Sequence, residues 1–402
     1  MPLGWIDFSK TERSKILTVL DLLTESGTLD ELGIAPVRDG FSNLFFPGTS
    51  TIQTRAKYFF VVPYALKDLE YSSESTPGKM MISLDAKERK CGEKFLSQNA
   101  DESGVIGKRS LASGGWVKRT PADIYWAGLR RYGIFIGGKL SLSEYIRAMC
   151  AQKNQKSVLK SLGNRRDNAE ENEADDIDAG SNGKIRFWHM PLYSRGWFED
   201  LSIELTEAEG RFLKEQIIMS CPGSMLSFIL EHNMREILEI GSYQELGEII
   251  GKFPEQMQED YELALTFSNF IFTVRAVYND MVSEGENVAA GEWLEVLQPR
   301  FAEIADIDME YILQRLKIFN NPMLSRFLKN TKEAMTDGDM EALKKTIKDR
   351  EVFLKGQNRA KTSHPGEFDR QAWMGGGELD YRFGNAKVII RDIFESEVGA
   401  HA

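Results

Sequence analysis

Along most of the chain apolar residues return at intervals of three and four, the spacing of one face of an α-helix. Ile16, Val19, Leu20 and Leu23 follow this rule, and so do Leu213, Ile217 and Ile218. From Asp260 to Val282 the run DYELALTFSNFIFTVRAVYNDMV is apolar on more than one side, and over about six turns that predicts a central buried helix. WLEVLQPRFAEIADI and DMEALKKTIKDREVFLKG predict ordinary surface helices. Strand signals are few. IRFWHM is the best, and AKVII fits the final helix equally well. The pattern therefore predicts a mainly α, multi-helical protein with minor β elements at most.

Helix starts are marked as well. Ser9 with Glu12, Ser50 with Gln53, Ser141 with Glu144 and Thr206 with Glu209 have capping-box spacing, in which each side chain bonds the other's free backbone N–H. Thr120 followed by Pro121 is a fifth start of a related kind. The box at Ser50 predicts a helix over GTSTIQTRAKYFFVVPYAL, with Ile52, Ala56, Phe59, Phe60 and Pro63 on the apolar side and Arg55 and Lys57 at its shoulder.

The periodicity stops between Lys153 and Lys184, where Val158, Leu159, Leu162 and Ile177 are the only sizeable apolar residues. Such a stretch buries too little surface to offset the ordering of its backbone, so it predicts an acidic flexible linker. The expected organisation is a helical lobe over 1–152 carrying a basic and aromatic cluster, the linker over 153–184, and a second helical lobe over 185–402. EYSSESTPGK, from Glu70, predicts a loop inside the first lobe.

Charge refines this picture. The net charge is −11, yet Asp167–Asp178 holds seven acids and no base, and without it 50 bases face 54 acids. Locally basic surfaces are therefore compatible with the composition. No run of about 18 uncharged apolar residues is present, and the N-terminus lacks a basic region leading into an apolar one. Cys91, Cys150 and Cys221 are scattered and form no CxxC pair. A cytoplasmic chain without disulfides is expected.

Candidate chemistry is sparse. Lys118, Arg119, Arg130 and Arg131 form the densest basic cluster of the first lobe, and Trp126 stands four residues before Arg130, the spacing of a cation–π pair. With Arg55 and Lys57 these residues are the candidate contacts for nucleic acid or a protein partner, since such ligands are held by cations and aromatic faces. Asp85, Glu88 and Lys90 in SLDAKERK resemble the carboxylates and lysine of a metal-dependent nuclease, although such a lysine normally lies on a strand and this segment is helical in pattern. His189, His232, His364 and His401 have no ligand spacing. Gly114 in SGGWVKR and Gly375 in MGGGELDYRF lack the spacing of a phosphate loop, and the three consecutive glycines predict a mobile or closely approached backbone. No catalytic residue, metal ligand or cofactor is assigned.

Four segments together resemble a bacterial family, domain of unknown function number 6361. They are LGWIDFS at the N-terminus, LDELGIAPVRDGFSNLFFPGTSTIQTRAKYFFVVPY from Leu29, IYWAGLRRYGIF from Ile124 and GELDYRFGNAKVIIRDI near the C-terminus. Tyr64 stands where the family more usually has Trp, and Tyr132 with Gly133 stands where it has Trp-Gly. The resemblance implies neither an activity nor site residues. It does imply the company of anti-phage defence genes, including helicases and phospholipase-D-like nucleases. The expectation is a non-enzymatic accessory protein of a bacterial genome-defence system that binds protein partners, with nucleic acid as a further ligand. The alternative is a metal-dependent nuclease with a cryptic carboxylate site, and the third reading is a scaffold whose acidic linker docks a basic partner.

Overall fold

Helices carry nearly all the regular structure. The computed structural model describes residues 30–163, 186–190 and 193–398. In chain order the α-helices are α1 (Ala35–Phe45), α2 (Tyr58–Tyr71), α3 (Pro77–Gln98), α4 (Lys108–Ala112), α5 (Pro121–Arg131), α6 (Leu142–Gly163), α7 (Glu207–Ser220) and α8 (Met225–Glu231). They continue with α9 (Glu255–Val282), α10 (Val288–Leu297), α11 (Phe301–Ile304), α12 (Met309–Arg315), α13 (Pro322–Thr336), α14 (Met340–Lys355) and α15 (Phe383–Val398). Among the described residues no strand forms. The strand expected at IRFWHM reduces to one antiparallel bridge, Phe135 with Trp188, closed by Ile136 N donating to Phe187 O at 2.8 Å and His189 N to Ile134 O at 2.9 Å. AKVII lies inside α15.

The described residues divide into two compact units, one within 1–42 and 246–381 and the other within 43–245 and 382–402. This division differs from lobes over 1–152 and 185–402. α6 runs unbroken to Gly163, so residues 153–163 of the expected linker are helix, and the acidic run Asp167–Asp178 and the box at Ser9 lie outside the described residues.

The first unit is built on α9. Phe267, Phe270, Ile271, Val274, Val277 and Tyr278 are fully buried, which is why this helix is apolar nearly all round. α13 and α14 form a hairpin whose turn uses Gly338 at φ +67°, and Asp339 caps α14 by accepting from Ala342 N at 2.9 Å. A buried polar cluster joins α14 to α9: Glu351 accepts from Tyr278 OH at 2.8 Å and from Thr362 N and Oγ1 at 2.9 and 2.8 Å. The triple glycine follows from backbone conformation and not from close packing, since an added side chain would meet only ordinary contact at Gly375 and nothing within 4 Å at Gly377. Gly375 and Gly376 take φ of +84° and +79°, a side chain at Gly375 would lie 3.8 Å from Arg275, and Arg275 donates to Gly377 O.

The second unit is built on α2, whose Phe59, Val61, Val62, Ala65 and Leu66 are fully buried. α7 crosses α15 at Gly210, where a side chain would sit 1.8 Å from Ser396 Oγ. The capping boxes at the starts of α6 and α7 form as their spacing predicts. Glu144 N donates to Ser141 Oγ at 3.2 Å and Ser141 N to Glu144 Oε2 at 2.8 Å, while Glu209 N donates to Thr206 Oγ1 at 3.3 Å and Thr206 N to Glu209 Oε2 at 2.9 Å.

Candidate functional site

Arg55 and Lys57 are held inside the second unit. Helix α2 starts at Tyr58, seven residues after the position that the Ser50 box predicts. Ser50 N does donate to Gln53 Oε1 at 3.2 Å, but Gln53 turns back to Gly48 O at 3.2 Å, so the box closes a turn. Beyond it the backbone is gathered by Tyr125, whose hydroxyl accepts from Thr54 N at 2.9 Å and Arg55 N at 3.1 Å and donates to Arg55 O at 2.7 Å. Arg55 then pairs with both oxygens of Asp392 at 3.0 and 3.1 Å and with Glu102 at 2.9 Å. Asp392 also accepts from Ala56 N at 2.7 Å. Burial opposes the Arg55 charge, and the two carboxylates outweigh it and raise its pKa. Burial likewise raises Asp392, with Arg55 pulling the other way. Lys57 is 5% exposed and donates to Glu209 at 2.7 Å, the same carboxylate that caps α7. Both cations are thus already paired with carboxylates, and Lys57 is buried, so neither stands free for a ligand as the sequence suggests.

Trp126 is corrected as well. It is 7% exposed, its Nε1 donates to Leu140 O at 3.0 Å, and its ring packs on Phe135, Tyr145 and Trp188 with centroids 4.6, 5.8 and 6.0 Å away. It is core, and the cation–π pair with Arg130 does not form. The four cations of the cluster also separate. Lys118 and Arg119 precede α5 and Arg130 and Arg131 end it, with about 16 Å of helix between. Arg131 turns to the buried Cys221 thiol.

Arg130 keeps a solvent-facing position and gains company that the sequence did not suggest. Its Nη1 donates to Lys139 O at 3.1 Å, and its charge, with that of Arg147, acts on the Glu144 carboxylate. The bonds from Ser141 are the main reason that Glu144 titrates below its ordinary value, and the two arginines add to it. Arg130, Lys139 and Arg147 are all exposed, with Ile136 beside them 47% exposed. The chain from the end of α5 to the second turn of α6 thus carries three exposed cations, two of which, Arg130 and Arg147, act on one carboxylate that is already committed to a helix cap.

The carboxylates of SLDAKERK do not converge with their lysine. All three lie on α3. Asp85 accepts from Trp116 Nε1 at 2.8 Å. Glu88 is 1% exposed and accepts from Ala122 N at 2.6 Å, at the start of α5. Lys90 is exposed. Burial pushes Glu88 up to about 8; Thr120 and the Ala122 N–H oppose that, and the nearby Asp123 and Asp85 add to it. Glu88 therefore works as a neutral, buried cap. Among the described residues no three His, Cys, Asp or Glu side chains are grouped to hold a metal ion. His189 packs edge-on against Phe212 at 5.4 Å, and His232 stacks on Phe228 at 3.9 Å.

No helix among the described residues is long and apolar enough to cross a membrane. No curated protein matches the chain, and no solved structure does. The segment GELDYRFGNAKVIIRDI lies beyond the part that a family model covers; residues 1–152, which hold the other three recognisable segments, match the model described as a family of unknown function, DUF6361.

Proposed function

We propose that this protein is a non-enzymatic accessory component of a bacterial genome-defence system, which holds nucleic acid by its phosphate backbone and acts together with protein partners. The observation that carries the reading is the exposed corner of Arg130, Lys139 and Arg147. The rings beside it, Trp126, Phe135, Tyr145 and Trp188, are all buried, so the corner offers cations and no stacking surface for bases. Contacts of that kind are independent of sequence and weaken steeply with salt. Three phosphate contacts give weak binding alone, which is why protein partners belong to the reading. Its setting in genome defence rests on the family resemblance.

The test is fluorescence anisotropy with a labelled 20-base-pair duplex at low salt. Reversing Arg130 and Arg147 to Glu is expected to abolish binding, while Lys118→Glu leaves most of it. Equal affinity for wild type and the double reversal would remove the corner from the function. Plating of phage on cells that carry the protein with its neighbouring genes tests the setting, with loss of protection expected for the double reversal.

A further inference from the structure

Helix α10 in the first unit is apolar and yet poorly covered. Of its ten residues only Ala290 is buried, while Val288, Trp293 and Val296 are 62%, 45% and 57% exposed. Ala289, Trp293 and Val296 succeed one another by steps of four and three and so form one stripe. Glu292 and Glu295 flank it, are exposed, and pair with no cation among the described residues. The helix is nevertheless firmly placed. Asn287 caps it by accepting from Ala290 N at 2.9 Å and donates to Arg370 O at 2.9 Å. Trp293 stands edge-on to Phe272 at 5.0 Å, which in turn stacks on Trp373 at 5.6 Å. A preformed helix with three large apolar side chains in water is the mark of a surface that another chain covers.

We propose that this face docks a basic amphipathic helix of a partner protein. The apolar stripe would lie along the partner's apolar stripe, and Glu292 and Glu295 would meet Lys or Arg on its flank, the complementarity that selects one partner helix over another. The inference rests on the protein-partner half of the proposed function and names the site and the chemistry of that partner.

The probe is an 18-residue synthetic helix with a Leu stripe flanked by Lys, and its twin with Glu in place of each Lys, titrated into the full chain by calorimetry. The Lys peptide is expected to bind at least tenfold more tightly than the Glu peptide. Val296→Asp should cost it tenfold or more, and the double reversal E292K/E295K should invert the preference between the two peptides. Both sites are exposed, so far-UV circular dichroism and melting should not change. No binding of the Lys peptide, or binding that V296D leaves intact, overturns the proposal; so does a loss in V296D without inversion in the charge reversal, since the partner would then not be basic. Duplex binding measured on the same V296D sample should be unaffected, so failure here and failure of the nucleic-acid corner are read separately.

Discussion

Glu88 gives the sharpest prediction of how stability responds to pH. Its carboxyl is 1% exposed and burial lifts it from 4.5 to about 8, so in the folded protein it stays neutral at pH 7 while in the unfolded chain it is ionised. The unfolded state therefore gains from ionisation as pH rises above 4.5, and the folded state follows only near 8. Glu88 contributes stability below pH 4.5 that is lost progressively as pH rises to about 8. At about 1.4 kcal/mol for each tenfold change, the full loss is on the order of 5 kcal/mol, roughly 3 of it by pH 7. Glu88→Gln keeps a carbonyl to accept from Ala122 N and removes the titration. The difference in unfolding free energy between the variant and wild type, from urea melts at pH 4, 7 and 9, should thus grow in the variant's favour by several kcal/mol across the series. A difference independent of pH, or one that grows in favour of wild type, would refute the neutral cap.

Other outcomes follow from the packing of the second unit. Lys57→Met leaves the buried Glu209 without its counter-charge and should cost about 3–5 kcal/mol in urea unfolding, while the K57M/E209Q double variant, which keeps the α7 cap, should recover most of that. Gly210→Ala forces a methyl group into the position of Ser396 Oγ and should cost about 1–3 kcal/mol, with partial recovery in G210A/S396G. Arg55→Gln should lower the melting temperature by removing the partner of Asp392, and it should leave duplex binding at the exposed corner unchanged.

What the sequence reveals is mostly local. The boxes at Ser141 and Thr206 and the buried character of α9 follow from neighbours within a few turns, and the structure has them as their spacing predicts. Ser50 fails as a helix start because the backbone N–H groups of Thr54 and Arg55 are taken by the hydroxyl of Tyr125, some 70 residues along the chain. Arg55 and Lys57 look like free cations because Asp392 and Glu209 stand 337 and 152 positions along the chain. Trp126 looks like a surface ring until residues 135 and 188 close over it. The exposed corner was half legible: Arg130 belongs to a dense basic cluster, whereas Lys139 and Arg147 are unremarkable in sequence and join it through the loop after α5. The sequence reads the segment from Trp293 as a surface helix, and what only the folded unit adds is that Val288, Trp293 and Val296 stay exposed on it.

The most direct test of the central claim is the salt dependence of duplex binding. Three phosphate contacts through Arg130, Lys139 and Arg147 predict that log K falls against log salt with a slope of about −2.7, and that each single replacement of these residues by Gln reduces the magnitude of the slope by about 0.9 without changing sequence preference. A slope near zero, or one that the three replacements leave unchanged, would contradict the account.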